Sequence, residues 1–253
     1  MLGVYFSGTG NTRYCMEKFM ELADHDAEIL PLEDLHTVEK IKSQDTVVLG
    51  YPIYYSNLPM IVRKFIIQNR SIWKNKKIFL IATMGMFSGD GAGLAARLLK
   101  KYGAEVVGGI HLQMPDCISD VRALKKPLEK NQLIIKRAEG KIAKAAEKMK
   151  NGRPSREGLG FFSHLAGLFG QRLYFYNKTV KGVNLLKIRS ERCVGCGKCE
   201  ELCPMKNITV VEGKAVPGGN CSMCYRCVNH CPNQALTILG DDIIEQSIIE
   251  NYI

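Results

Sequence analysis

The chain has 253 residues, 46% hydrophobic and 24% charged, the composition of a globular protein with room for one medium domain and a smaller second one. No apolar run approaches the roughly 18–20 residues that cross a bilayer, and Met1 leads straight into "LGVYFSGTG" with none of the regions of an export signal, so the expected location is cytoplasmic. The net charge of +10 is concentrated in residues 120–190, which hold 17 Lys+Arg against 5 Asp+Glu, a stretch open to an acidic protein, an anionic surface or nucleic acid, or else a solvated helix face and linker.

Residues 2–6 read as a short apolar strand running into Ser7-Gly8-Thr9-Gly10-Asn11-Thr12 and then a helical pattern. Glycines and small hydroxyl residues between a strand and a helix present N–H groups and hydroxyls to a phosphate, and the helix N-terminus adds attraction. No Gly-Lys-Ser/Thr follows, which excludes a nucleoside-triphosphate loop. Arg13 stands where a dinucleotide fingerprint needs its third glycine. A terminal monophosphate suits the loop better; a capped helix after a tight turn is the plainer alternative.

The alternation then continues. An edge strand is predicted at 27–31, a buried strand at 45–50, a helix at 58–68, a strand at 77–83, a helix at 93–103 and a fifth strand at 104–112. A last helix at 128–150 places Leu128, Ile135, Ile142 and Met149 on one stripe. The fold class is α/β, a doubly wound five-stranded parallel sheet over residues 1–150. Ligands of such sheets bind beyond the C-terminal strand ends where strand order reverses, which brings together loops 7–12, 51–58 and 84–90. There Tyr54 and Tyr55 can stack on a flat ring, with Ser56 and Asn57 as polar contacts. Gly85 and Gly89 let main chain approach, while Met84, Met86, Phe87 and Ser88 cover a ring edge. One aromatic alone is more often core; their convergence beside a phosphate loop favours a ligand.

Residues 151–160, "NGRPSREGLG", form a turn-rich break and a predicted domain boundary. Within the basic connector 151–190, "FFSHLAGLFGQRLYFYNKTVKG" packs between domains, docks an acidic redox partner protein or meets a membrane surface.

The third segment, 191–253, holds eight of the ten cysteines. Cys193-x2-Cys196-x2-Cys199-x3-Cys203-Pro204 recurs 28 residues later as Cys221-x2-Cys224-x2-Cys227-x3-Cys231-Pro232, and each half ends in a β-like stretch, "ITVV" and "LTIL". Without an export signal, clustered thiols read as metal ligands and not disulfides. Structural zinc prefers two separated Cys pairs; three cysteines each two residues apart, with a fourth after three more, suit a cubane. This is the spacing of bacterial two-cluster ferredoxins, in which the fourth Cys of each run ligates the other cluster. One [4Fe–4S] cluster would then take Cys193, Cys196, Cys199 and Cys231, and the other Cys221, Cys224, Cys227 and Cys203. Crossed ligands tie the halves into one unit with little core. Gly195, Gly197, Gly218 and Gly219 leave room for N–H groups to approach the cluster sulfurs. Cys15 and Cys117 read as structural or incidental, and His111 as a packed strand residue.

Residues 1–150 resemble a flavodoxin-type domain: "SGTGNT" matches the flavin mononucleotide (FMN) phosphate loop, and "GYPIYYSNLP" and "TMGMFSGDG" resemble the loops flanking the isoalloxazine ring. The whole chain is similar to fused flavodoxin–ferredoxin proteins of anaerobes and archaea. The resemblance implies an FMN held by loops 7–12, 54–57 and 84–89, two [4Fe–4S] clusters, and electron transfer between them. The alternative is an oxidoreductase in which a quinone, a nicotinamide or another metabolite meets the flavin directly. Flavodoxins are usually acidic, whereas this chain is basic, which sets it apart from their usual partners.

Overall fold

Short runs rich in Val, Ile and Leu, each followed by a helical pattern, leave the backbone one economical solution, a parallel sheet covered on both faces. The computed structural model describes residues 1–54, 57–86, 91–160 and 185–253. The expectations for Tyr55, Ser56, Phe87, Ser88 and Gly89, and for residues 161–184 of the connector, lie outside the described residues.

Strands β1 (Leu2–Tyr5), β2 (Glu28–Pro31), β3 (Thr46–Pro52), β4 (Lys77–Met84) and β5 (Glu105–Gln113) pair in parallel in the order β2-β1-β3-β4-β5. Alternate side chains point to opposite faces. On one face Leu2, Val4, Val47, Leu49, Ile78 and Leu80 meet helices α2 (Thr37–Ser43), α3 (Met60–Gln68) and α4 (Gly91–Lys101). On the other, Val48, Phe79, Ile81 and Ile110 meet α1 (Asn11–Ala23) and α5 (Leu128–Lys150), with Phe19 stacked on Phe79 at 5.0 Å. The predicted stripe of α5 holds at Ile135 and Ile142, with Met149 packed against the same core. Leu128 is exposed, and the buried face runs through Ile134, Ile135, Ala138, Ile142 and Ala145.

Part of the turn-rich break after α5 packs back against β5. Gly109 donates to the Ser155 carbonyl at 2.7 Å and accepts from Glu157 N–H at 2.9 Å, while Glu157 pairs with Lys141 at 2.6 Å. Among the described residues, 155–157 thereby cover the outer edge of β5 at Gly109, a common defence of an edge strand.

The cysteine-rich segment forms two small antiparallel sheets. β6 (Lys187–Ile188) pairs with β9 (Leu236–Thr237), and β7 (Ile208–Val211) with β8 (Lys214–Pro217). Short helices Lys198–Leu202 and Arg226–His230 occupy equivalent places in the two cysteine runs. "LTIL" contributes only two residues of strand because Ile238 and Leu239 give their N–H groups to Asp120 Oδ2 at 2.6 and 2.9 Å.

Candidate functional site

β1 leads through buried Phe6 into the Ser7–Gly10 turn, and Gly10 enters α1 with a left-handed φ of 89°. The first N–H groups of α1 have no intrahelical partners there. Ser7, Gly8, Thr9, Asn11 and Thr12 border a cavity of about 300 Å³. Gly10 does not; it lies against Ile249. The Thr12 and Thr83 hydroxyls bond each other at 2.7 Å, and Asn11 Nδ2 donates to the Pro115 carbonyl at 2.8 Å. The Ser7 hydroxyl is buried without a hydrogen-bond partner, which costs about 1–3 kcal/mol. A phosphate oxygen would supply the missing partner, so these residues fit the phosphate end of a flavin mononucleotide. Ser7→Ala should therefore weaken flavin binding by a factor of roughly 5–30. The melting temperature of the flavin-free protein should stay unchanged or rise. Equilibrium dialysis with FMN, paired with a thermal melt, checks both; an unchanged affinity contradicts the assignment.

Three more strand ends supply walls. Pro52, Ile53 and Tyr54 follow β3. Asn57 closes that loop by backbone bonds of 3.1 and 2.8 Å with Tyr54 and stands off the cavity. Thr83 and Met84 end β4, Gly85 and Met86 follow it, and Met114–Ile118 follow β5. Sequence reasoning gave this last loop, "MPDCI", no role, although it too follows the C-terminal end of a strand and the rule used for the other loops points to it.

The loop brings titratable groups to the cavity. The Asp116 carboxyl packs on Gly85 and accepts from Ile118 N–H at 2.9 Å. Burial raises its pKa above the ordinary carboxylate value, against the opposing pull of that bond and of Lys126 and Lys125. Cys117 lines the cavity, and burial with Asp116 and Cys224 beside it pushes its thiol up, favouring the neutral form. Tyr54 is raised for the same reasons, by burial first and then Cys224 and Cys117. His111 lies elsewhere, its Nε2 accepting Ala92 N–H at 3.1 Å at the start of α4.

The remaining wall belongs to the second cysteine run, where Met223, Cys224 and Tyr225 border the cavity. Gly8 and Cys224 come so close that a Cβ on Gly8 would run into the Cys224 carbonyl. Arg226, Asp120 and Asn229 hold this juncture. Arg226 donates to the Ser7 carbonyl at 2.7 Å, to the Leu202 carbonyl at 3.3 Å and to Glu33 at 2.6 Å, with its guanidinium 5.6 Å from the Phe6 ring centroid. Buried Asp120 accepts from the Tyr225 hydroxyl at 2.8 Å as well as from Ile238 and Leu239. Asn229 Nδ2 donates to the Cys117 carbonyl at 2.9 Å. Residues 246–252 complete the juncture. Gln246 donates to the Cys231 carbonyl at 2.8 Å, Ser247 N–H to Asn229 Oδ1 at 2.6 Å, and Ile249 N–H to the Thr9 carbonyl at 2.9 Å. Ile249 and Tyr252 then bury themselves beside Cys15 and Phe19 of α1. The segment 191–253 thus contributes its last residues to the N-terminal domain's core, which the cysteine pattern gave no reason to expect.

The eight clustered cysteines ring two further cavities. Cys193, Cys196 and Cys199 share one with Cys231; Cys221, Cys224 and Cys227 share the other with Cys203. Among the described residues no three His, Cys, Asp or Glu side chains gather closely enough for a single metal ion, whereas the four thiols bordering each cavity match in number the four irons of a cubane. The first ring meets solvent, with Cys196 exposed and Val194 65% exposed; in the second, Cys221, Cys224 and Cys227 are buried. Burial accordingly pushes Cys221 up to about 11 and raises Cys224 and Cys227 too, while N–H groups of Ala215 and Gly195 hold Cys193 below its ordinary value. Donors to sulfur are arranged alike in the two halves: Asn207 N–H to Cys203 at 3.2 Å and Ala235 N–H to Cys231 at 3.4 Å. Of the four glycines expected near the sulfurs, only Gly195 has its N–H resolved in that role. His230 is satisfied within its own helix through the Arg226 carbonyl at 2.8 Å.

Comparison with known proteins follows the same division. Residues 2–119 match the family model of a flavodoxin domain, and residues 185–235 that of a 4Fe-4S dicluster domain. NADH-quinone oxidoreductase subunit I 2 of Aquifex aeolicus is 27% identical over 96 residues, 33% of this chain and 46% of that protein. One component of the ion-translocating oxidoreductase complex of Methanosarcina acetivorans is 36% identical over 59 residues, 23% of this chain and 22% of that protein. The chain thus spans less than half the length of these curated relatives. Among solved structures, the two-electron reduced flavodoxin of Megasphaera elsdenii is 27% identical with a TM-score of 0.40, covering 46% of this chain and 89% of that one. No helix among the described residues is long and apolar enough to cross a membrane.

Proposed function

Starting from a chain that joins a flavodoxin domain to a 4Fe-4S dicluster domain, we propose that it relays single electrons between two [4Fe–4S] clusters and one FMN. Bound together, such groups supply one-electron carriage on the cluster side and exchange between one- and two-electron chemistry on the flavin side. The observation that carries the proposal is the place of Cys224, which belongs to the second cysteine ring and to the wall of the flavin cavity at once.

The residues divide the work. Ser7, Thr9 and Thr12 hold the phosphate, and Tyr54, Met84, Gly85 and Met86 frame the ring. Cys203, Cys221, Cys224 and Cys227 hold the inner cluster away from water. Cys193, Cys196, Cys199 and Cys231 hold the outer one near the surface. Solvent exposure and N–H donation to sulfur both tune cluster potential, and the two rings differ in both, so they are suited to different potentials along one path. Exposed Cys196 marks the end at which a redox partner protein exchanges electrons. Both curated relatives are named as parts of oxidoreductases, which supports partners of that kind. The net charge of +10 favours an acidic partner surface.

A second reading, an FMN-dependent oxidoreductase acting on a quinone, nicotinamide or other small molecule, draws on Asp116 at the cavity wall and on Met86, 68% exposed at its rim. Anaerobic mixing of the flavin- and iron-replete protein with NADH or NADPH separates the two. Reduction only by dithionite or a low-potential ferredoxin is expected. Rapid bleaching of the flavin by a nicotinamide overturns the carrier reading in favour of the enzyme.

A further inference from the structure

Laying one cysteine run on the other by their 28-residue offset shows where the repeat keeps its backbone and abandons its residues. Positive φ recurs at equivalent places: 48° at both Lys206 and Gln234, 66° at Gly195 and 56° at Met223, 77° at Gly197 and 60° at Tyr225. Left-handed backbone favours glycine because a Cβ crowds the chain there. The first run obeys that preference at 195 and 197. The second keeps the same turns and fills them with methionine and tyrosine.

These two side chains are not idle. Met223 and Tyr225 are 8% and 2% exposed and both border the cavity onto which the phosphate loop opens. Gly195 and Gly197 border only the solvent-facing ring. The Tyr225 hydroxyl is anchored on Asp120 at 2.8 Å, so its ring is fixed in place. Strained backbone that survives where the same chain uses the unstrained residue elsewhere points to a role for the side chain.

We infer that Met223 and Tyr225 are flavin-contact residues, and that the second cysteine run doubles as the wall of the flavin pocket facing its own cluster. The inference rests on the relay reading above and deepens it. A thioether and an aromatic ring offer the polarisable, apolar face that a planar heteroaromatic ring prefers. The flavin site is then composite, completed by the ferredoxin domain and not by the flavodoxin domain alone.

The test replaces Met223 with the residue its counterpart uses. In the full chain loaded with iron and sulfide, Met223→Gly should raise the FMN dissociation constant about tenfold or more. The flavin absorption bands should move toward those of free FMN while iron content stays native. Met223→Leu should restore affinity and spectrum, and Tyr225→Phe, which keeps the ring, should bind FMN within about threefold of native. FMN bound by Met223→Gly with native affinity and spectrum overturns the inference, as does a loss of FMN that follows a loss of iron. Neither readout moves an electron, so a failure here leaves the relay standing, and a failed relay leaves these contacts standing.

Discussion

Cys203→Ala is expected to remove about half of the bound iron, one of two cubanes, and the half removed is the cluster beside the flavin. The expectation follows from placement. Cys203 ends the first cysteine run yet stands on the ring formed by Cys221, Cys224 and Cys227, and Asn207 N–H already points at its sulfur at 3.2 Å. The flavin should register the change, because Cys224 is shared with its cavity wall. Cys231→Ala is the matched control. It also removes about half of the iron, from the solvent-facing ring, with flavin content and absorption close to native. Iron analysis and the visible spectra of both variants decide the matter. If Cys203→Ala leaves the flavin bands untouched and Cys231→Ala disturbs them, the ligands are not crossed.

Asp120→Ala should cost about 3–5 kcal/mol and uncouple the two domains. One carboxylate accepts from the Tyr225 hydroxyl and from two backbone N–H groups, all spanning the juncture. Its removal strands two buried donors and one half-buried donor, a fully buried one costing about 1–3 kcal/mol when unsatisfied. Asp120→Asn keeps one acceptor oxygen and should fall between the two. Urea unfolding followed separately by flavin and by cluster absorbance gives the measurement. In the native protein the two signals should fall together; in Asp120→Ala the cluster signal should be lost first. A loss below about 1 kcal/mol, or curves that still coincide, would show that Arg226, Asn229 and residues 246–252 carry the juncture without it.

What could be read from the sequence was local. "SGTGNT" and the two cysteine runs declare themselves because their chemistry needs several residues at fixed short spacing, and contiguous chain supplies it. The five strands declare themselves because each is an apolar run between turn residues. The rest is long-range. Asp120 meets Tyr225 across 105 residues, Asn229 meets Cys117 across 112, and Arg226 meets Ser7 across 219. No periodicity records such pairs. α2 (Thr37–Ser43) went unpredicted because seven residues make too short a period to stand out. The break at 151–160 shows the same limit: its turn residues mark irregular backbone, and part of it here runs along the edge of β5. One long-range signal was nevertheless present. Where a repeat replaces glycine with methionine and tyrosine at 223 and 225, the sequence itself flags the side of the second run that faces something other than water.

Most direct of all is the rate at which the flavin gains an electron after a flash. A laser-triggered photoreductant delivers electrons to the anaerobic, fully loaded protein, and the bleaching of cluster and flavin absorbance is followed at several protein concentrations. For a relay within one chain, cluster bleaching should come first and flavin reduction second, at a rate independent of protein concentration, with the second step lost in Cys203→Ala. Flavin reduction whose rate rises in proportion to protein concentration, or which proceeds unchanged in Cys203→Ala, would mean that electrons reach the flavin from outside and that the two domains share a chain without sharing a path.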